Sequence, residues 1–435
     1  MINLENLKND IILQDGIKYF DFAASALALK SVENEILRIL QTYANTHSKT
    51  SSNSITTQNY YENARAKFKN LLGVDDKFSL ISCGFGATWA LKKLWEILGI
   101  YIPPMSLKRL NLKKENLKNL PLVIVSPYEH HSNEIPLRYC LCEVVRTPLN
   151  SQGLIDFDFL ANLLKTNKGR DIIASFSMAS NLTGVKTDYK KLYLMIKSHG
   201  GRLILDACAF APHDEIDFNF CDAAVFSSHK FLGGVGGSGI LVIKNSLFSC
   251  DEPTFGGGGT LAYSDNETQR FYIDPERAQE AGTPGVTQFL RSYLAYKFRH
   301  DLGIENIKSH ENEISEYFLN EISKIDKIEI YGNLQVPRVP IFAINLKGLD
   351  PFIFAEILSK KYLVQVRAGC ACAGSYGRDL LNLPNDINLS LKPAFLRISL
   401  NFSHSKDDID YLINSIKNIA KNKDKIKLVG GEYRC

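Results

Sequence analysis

The chain has no run of about 18 apolar residues, the length a membrane-spanning helix needs, and its opening MINLENLKND lacks the charged-then-apolar pattern of a secretory leader. A membrane association is therefore not expected, and the cytoplasm is the expected compartment. Neither sign of charge is in excess: 51 Lys and Arg stand against 47 Asp and Glu, and the basic residues are scattered through helical patterns instead of forming a stripe. A nucleic-acid partner is not expected on that pattern. The densest basic stretch, KRLNLKKENLK at 108 to 118, reads as a solvated helical insertion. Nine cysteines form an odd set without the spacing of a disulfide framework. Cys370-Ala-Cys372 has no second Cys or His pair at zinc-ligand spacing, so no metal site is expected. A single reactive thiol is. No repeat of about 20 to 50 residues is evident, and no low-complexity tract.

What is present is the pattern of a large α/β enzyme. A chain of 435 residues outgrows one hydrophobic core, so two subdomains are expected. Between about 60 and 300, helical periodicity alternates with short β-branched runs. YYENARAKFKNLL reads as a helix stopped by Gly73, and SLIS (79 to 82) as a strand followed by a helix from Ala87. LVIVS (122 to 126), IIASF (172 to 176), RLILD (202 to 206), AAVF (223 to 226) and ILVI (240 to 243) are mostly uninterrupted apolar runs, as strands of a sheet covered on both faces must be. A largely parallel sheet follows. After about 300 the pattern changes to helix (304 to 324), strands at IEIY and IFAINL, helix (351 to 361), strands near 364 and 395, and a last helix capped by Ser405 with Ile409, Leu412, Ile413 and Ile416 on one face. That is a smaller α+β unit.

Three segments carry chemistry. FSSHKFLGGVGGSGILVI puts Lys230 just after a strand and before a glycine-rich stretch, where an amine reaches a ligand at the sheet edge. RLILDACAF, 24 residues upstream, ends a buried strand on Asp206, at the carboxyl end where parallel sheets bind ligands. Beside a pyridine nitrogen that carboxylate would hold the ring protonated and so an electron sink. SCGFGATWALKKLWEIL supplies two glycines and then a helix start at Ala87 and Thr88, the arrangement of amides and dipole that holds phosphate.

With these segments in view, the sequence resembles the class V aminotransferases of pyridoxal phosphate fold type I, and most closely their cysteine desulfurase and selenocysteine lyase branch. The resemblance runs through YFDFAAS (19 to 25), YANTHSKTSS (43 to 52), GATWA, SPYEHHSNEIP (126 to 136), SMASNLTGV (177 to 185), LDACAFAPH (205 to 213), SSHK, EAGTP (280 to 284), VRAGCACAG (366 to 374) and FLRISL (395 to 400). It implies a large α/β domain with a mostly parallel, seven-stranded-type sheet over 29–295, a small α+β domain over 296–435 that carries Cys372, and an N-terminal arm over 1–28 packed on the small domain.

Carried over position by position, it implies Lys230 as the Schiff-base lysine of pyridoxal 5′-phosphate, Asp206 on the pyridine nitrogen, His130 stacked on the ring and Asn181 on the ring hydroxyl. Ala87, Thr88, Ser228 and His229 would hold the phosphate, with Gly282-Thr283 reaching the phosphate of a second subunit in a homodimer. Arg397, helped by Arg367 and His47, would bind the substrate carboxylate, a task suited to a guanidinium fork. Cys372 matches the nucleophilic cysteine, which takes the sulfur of L-cysteine as a persulfide and leaves alanine. His130 is a candidate to deprotonate it, and Cys370 could resolve the persulfide as a disulfide or be a small packed residue.

Three positions depart from the branch: Ala209 stands where a Gln commonly binds the ring hydroxyl, Trp89 replaces an acidic residue, and the Cys372 to Arg397 segment, with NLPNDINLSLKP, is long enough for a mobile loop that carries Cys372 to an acceptor. LDACAF and FGGGGT (255 to 260) are also similar to molybdenum-cofactor sulfurases. A class V aminotransferase, or a C–S or selenocysteine lyase acting on another amino acid, stays open as a rival reading.

Overall fold

The computed structural model describes residues 2–384, 392–429 and 432–434. The apolar runs become the strands β1 (Phe78–Ser82), β2 (Leu122–Val125), β4 (Ile172–Ser177), β5 (Arg202–Asp206), β6 (Ala223–Ser227) and β7 (Gly239–Lys244), with β3 (Glu143–Arg146) added at one edge. β3 was not legible as an apolar run because EVVR is partly exposed. The seven strands lie in the order β3-β2-β4-β5-β6-β7-β1. β3 through β6 are mutually parallel, whereas β7 runs antiparallel to both β6 and β1. The reversal follows from a connection of eleven residues, 228–238, that holds only the single 3₁₀ turn Ser228–Lys230 and no crossover helix; a parallel return needs a crossover of about a dozen residues or more, usually a helix.

Alternate residues of each strand enter opposite cores, as the pleat dictates. Leu80, Ile124, Ala174, Leu205 and Val242 face one side with Phe68, Phe226, Phe289 and Tyr296. Ile81, Val123, Val125, Ile173, Ile204, Val225 and Leu241 face the other, under the helix Gly86–Ile97. The helix Ser52–Leu72 ends at Gly73, whose φ of 67° is the left-handed cap that a glycine adopts without strain.

The helix Val286–Leu302 runs through position 295 and ends at Gly303. Beyond it, β8 (Ile328–Tyr331), β9 (Ile341–Leu346), β10 (Arg367–Gly369) and β11 (Phe395–Ser399) form an antiparallel sheet in the order β8-β9-β11-β10. Its buried face meets Ile409, Leu412, Ile413 and Ile416 of the last helix, Lys406–Asn422, which Ser405 and Asp408 close with a reciprocal capping box. The start of the chain is sewn to this part: Lys18–Tyr19 pairs in parallel with Val364–Gln365, Lys8 and Lys18 reach Asp408 at 2.5 and 2.6 Å, and Phe20 stacks on His404.

The basic stretch departs from the helical insertion read in the sequence. Only Pro104–Arg109 is α-helix and Lys114–Asn116 a single 3₁₀ turn, with Asn111 left-handed between them. The interleaved Leu and Lys residues offer no apolar stripe at helical spacing that packing could stabilise. Among the described residues no helix is long and apolar enough to cross a membrane.

Candidate active site

The parallel strands deliver their carboxyl ends to one edge of the sheet, and a cavity of about 750 Å³ opens there. Asp206 ends β5, Lys230 follows β6, Asn181 follows β4 and His130 follows β2; all four line it, as do His229 and the helix start Ala87 and Thr88. The small sheet closes the other side with Arg367 from β10, Arg397 from β11 and, beyond β10, Cys370 and Cys372. Chain distance between these groups is large, so only the fold brings them together.

Not every residue expected at the site lies in this cavity. Ser228 is buried, does not line it, and its Oγ has no hydrogen-bond partner. Ser227, one residue earlier, lines it instead and accepts the Ala87 N–H at 2.8 Å. Strand alternation turns neighbouring side chains to opposite sides, and the motif SSHK offers two serines between which composition cannot choose. His47 and Thr283 also lie elsewhere: His47 Nε2 sits 3.4 Å from the Gly282 carbonyl, and Thr283 donates to Asn45. Thr283 shares a second depression with the exposed Phe85, Trp89 and Phe255. Trp89 thus stands outside the helix entrance, edge-on to Phe85.

At the helix start the fit is close. Gly86 has φ 66°, and a Cβ there would stand 3.1 Å from Ser227 Oγ and 3.2 Å from His229 Cε1. The first turn of Gly86–Ile97 carries no acidic residue, so nothing opposes an anion at its positive end.

Burial, and after it the Lys230 ammonium, push His130 down to about 4, so its ring is neutral at physiological pH. Ser132 donates its N–H to His130 Nδ1, which leaves the ring proton on Nε2. His130 is therefore a donor at Nε2 and a poor base, which argues against its deprotonating Cys372. The residue before it, Glu129, is buried and takes hydrogen bonds from Ser126, Asn133 and both the N–H and Oγ of Ser177. It ties the ends of β2 and β4 together, a role the EHH motif did not reveal.

Asp206 accepts the Cys208 N–H at 3.0 Å, and Cys208 itself lines the cavity. Asn181 donates to the Ala371 carbonyl at 2.6 Å, while its Oδ1 is buried with no partner. Ala209 offers no polar group beside it. Arg397, 3% exposed, donates to the Asn181 carbonyl and to Asp21, and its Nε has no partner. Arg367 grips the same Asp21 carboxylate.

Cys372 is exposed and free. It occupies a tight turn in which Ala373 N–H donates to the Cys370 carbonyl and both central residues are left-handed, Ala371 at φ 50° and Cys372 at 57°. Such φ values cost a non-glycine residue about 1 kcal/mol each and persist where surroundings enforce them. Here the enforcing bonds are Asn181 to Ala371, His131 N–H to the Cys372 carbonyl at 2.8 Å, and Gly374 N–H to His131 Nε2 at 3.0 Å. A helix, Gly374–Leu380, begins two residues on. The thiol thus stands on a pinned turn; residues 385–391 of the long segment expected to move it lie outside the described residues.

The comparisons agree with this picture. The description of the class-V aminotransferases matches residues 18–412. A cysteine desulfurase of Escherichia coli is 28% identical over 307 residues, 69% of this chain and 71% of the relative. A probable cysteine desulfurase of Halalkalibacterium halodurans is 27% identical over 317 residues, 72% of this chain and 73% of the relative. The apo structure of a cysteine desulfurase from Thermococcus onnurineus NA1 superposes with a TM-score of 0.81 at 22% identity, over 97% of this chain and 99% of that one, so the fold is shared.

Proposed function

The chain belongs to the class-V aminotransferase family, and on that premise we propose that it is a pyridoxal 5′-phosphate-dependent cysteine desulfurase, which converts L-cysteine to L-alanine and passes the sulfur through Cys372 to an acceptor. The observation that carries the reading is the exposed Cys372 thiol opening on the same cavity as Lys230, Asp206 and Arg397.

The residues present fit the cofactor. The unpartnered Asn181 Oδ1 is an acceptor for a ring hydroxyl in the place where Ala209 cannot serve. Ser227, His229 and the first turn of Gly86–Ile97 form a cradle for a phosphate that a Cβ at Gly86 would crowd. Asp206 would hold the pyridine nitrogen and the neutral His130 ring would cover a face. Bound there, pyridoxal phosphate supplies a covalent anchor for the amino group and draws electrons from the amino-acid Cα.

The chain's own residues do the rest. Lys230 Nζ, which has no hydrogen-bond or ion-pair partner among the described residues, anchors the cofactor and moves the proton at the substrate Cα. Arg397 and Arg367 orient the substrate carboxylate. The Cys372 thiolate takes the substrate sulfur: an S–S bond forms, the Cβ–S bond breaks, and cysteine plus thiol becomes alanine plus persulfide without an outside oxidant or reductant. Both guanidiniums line the same cavity as Cys372.

A homodimer completes the reading. The depression lined by Phe85, Trp89, Phe255 and Thr283 is an exposed apolar face beside the helix start, which supports its being covered by a second copy whose phosphate end Thr283 meets. The expected compartment is the cytoplasm, and the sulfur acceptor a protein or small molecule reaching Cys372.

The test is to incubate purified protein with L-cysteine and a reductant and to follow sulfide and alanine together, beside Cys372→Ala. Equal sulfide and alanine that vanish in the variant, with the cofactor absorbance retained, establish the activity. Pyruvate with ammonia, or no turnover with cofactor bound, sinks it in favour of a lyase or aminotransferase.

A further inference from the structure

Arg367 and Arg397 are cross-strand partners in the β10–β11 ladder, so two guanidinium groups of like charge stand side by side. One carboxylate holds them both. Asp21, only 8% exposed, accepts from Arg397 Nη2 at 2.9 Å through Oδ1, and from Arg367 Nη2 at 2.8 Å and Nε at 3.0 Å through Oδ2. The arm delivers it: Lys18–Tyr19 pairs with Val364–Gln365, and Asp21 bridges to Ser399 at the end of β11. Asp21 does not line the cavity, whereas both arginines do. It therefore stands behind them, and two positive charges less one negative leave this cluster with one net positive charge on the side of the cavity opposite Lys230 and Asp206.

Resting on the desulfurase reading, we propose that Asp21 is a positioning residue that sets the charge selectivity of the carboxylate site, so that it accepts an amino acid with one acid group and disfavours one with a second acid on its side chain. The guanidiniums keep a donor for that one carboxylate, since Arg397 Nε has no partner. They also line the same cavity as Cys372, where the substrate side chain reacts. A surplus charge on the pair would thus act on both ends of a diacid.

The experiment compares alanine formed from L-cysteine and from L-cysteine sulfinate by the holoenzyme, as the ratio of kcat/KM for the sulfinate over that for cysteine. Asp21→Asn is expected to raise the ratio about tenfold, a modest share of what one unit charge exerts at this range. Asp21→Glu should keep it near the wild-type value, and Asp21→Asn with Arg367→Gln, which restores one net charge, should bring it back. If Asp21→Asn does not fold, Arg367→Gln alone is expected to lower the ratio by a similar factor. A ratio that stays within about twofold in these variants while both rates fall together overturns the proposal, because a purely structural role weakens both substrates alike. Wild-type protein that forms no alanine from L-cysteine fails the desulfurase reading instead; Asp21 is then judged by the ratio of Kd for L-aspartate and L-alanine, read from the cofactor absorbance, with the same directions expected and the same flat result fatal.

Discussion

The backbone N–H of His131 donates to the carbonyl of Cys372 at 2.8 Å, and the His131 ring accepts the N–H of Gly374 at 3.0 Å. The segment that sets His130 at the cavity therefore also fixes the turn that presents the thiol. Replacing His131 by Leu leaves the Gly374 N–H unpaired and loosens the left-handed pair Ala371 and Cys372. The expected outcome in steady-state kinetics with L-cysteine is a kcat lower by about tenfold with KM within about twofold, since misplacing a nucleophile costs the transition state more than it costs binding. Equal losses in KM alone would count against this clamp.

The two serines of SSHK separate cleanly. Ser227→Ala removes the hydroxyl that accepts the Ala87 N–H at the cradle, and pyridoxal phosphate affinity, read by cofactor titration, is expected to fall about tenfold. Ser228→Ala removes a buried hydroxyl that has no partner, and both affinity and stability are expected to hold or improve slightly.

Gly239 is a tight point beneath the cradle. A Cβ there would lie 2.0 Å from the Gly86 carbonyl oxygen, a backbone atom that cannot turn aside. Gly239→Ala is expected to cost more than about 2 kcal/mol in denaturant unfolding and to abolish the cofactor absorbance, because the helix start and β7 must part. Gly86→Ala meets only side-chain atoms of Ser227 and His229, but its φ of 66° adds strain, so a smaller loss with weakened cofactor binding is expected.

His404 gives the fold a pH signature. It is buried, accepts the Asn401 N–H, donates to the Tyr19 carbonyl and stacks on Phe20; burial pushes it down to about 4. Folded protein thus keeps the ring neutral where the unfolded chain, at an ordinary value of about 6.5, protonates it. Stability from this group is full above 6.5, is lost as pH falls through the window between 6.5 and about 4, and levels off below. The loss is on the order of 3 kcal/mol. In urea unfolding the difference between wild type and His404→Gln should shrink across that window; a constant difference would refute the assignment.

The motif-bearing residues show how far a sequence can be read. The apolar runs fixed β1, β2 and β4 to β7 because a sheet covered on both faces demands continuous hydrophobicity, while the exposed edge strand β3 demanded none and escaped notice. Lys230 and Asp206 were legible because one follows a strand and the other ends one, and strand ends of a parallel sheet converge on one edge; Asn181 was marked only by the family resemblance. Asp21 and Glu129 were in plain view within YFDFAAS and SPYEHHSNEIP, yet their partners lie far along the chain and no local spacing marks them. Cys370 and Cys372 were visible as a C-x-C, but its conformation was not: the long-range bonds from Asn181 and His131 hold Ala371 and Cys372 in a left-handed turn that local propensity disfavours.

The sequence by itself determined the fold class, the ladder of strands and helices, and the chemical types at the site, since periodicity and residue type are local properties of the chain. Only the tertiary structure decided which serine meets the helix start, that His130 is a neutral donor, and that one carboxylate from the N-terminal arm balances two arginines some 350 to 380 residues away. Those outcomes depend on burial, on pairing between distant strands and on the sharing of a single counter-charge, and none of these is encoded within any one segment.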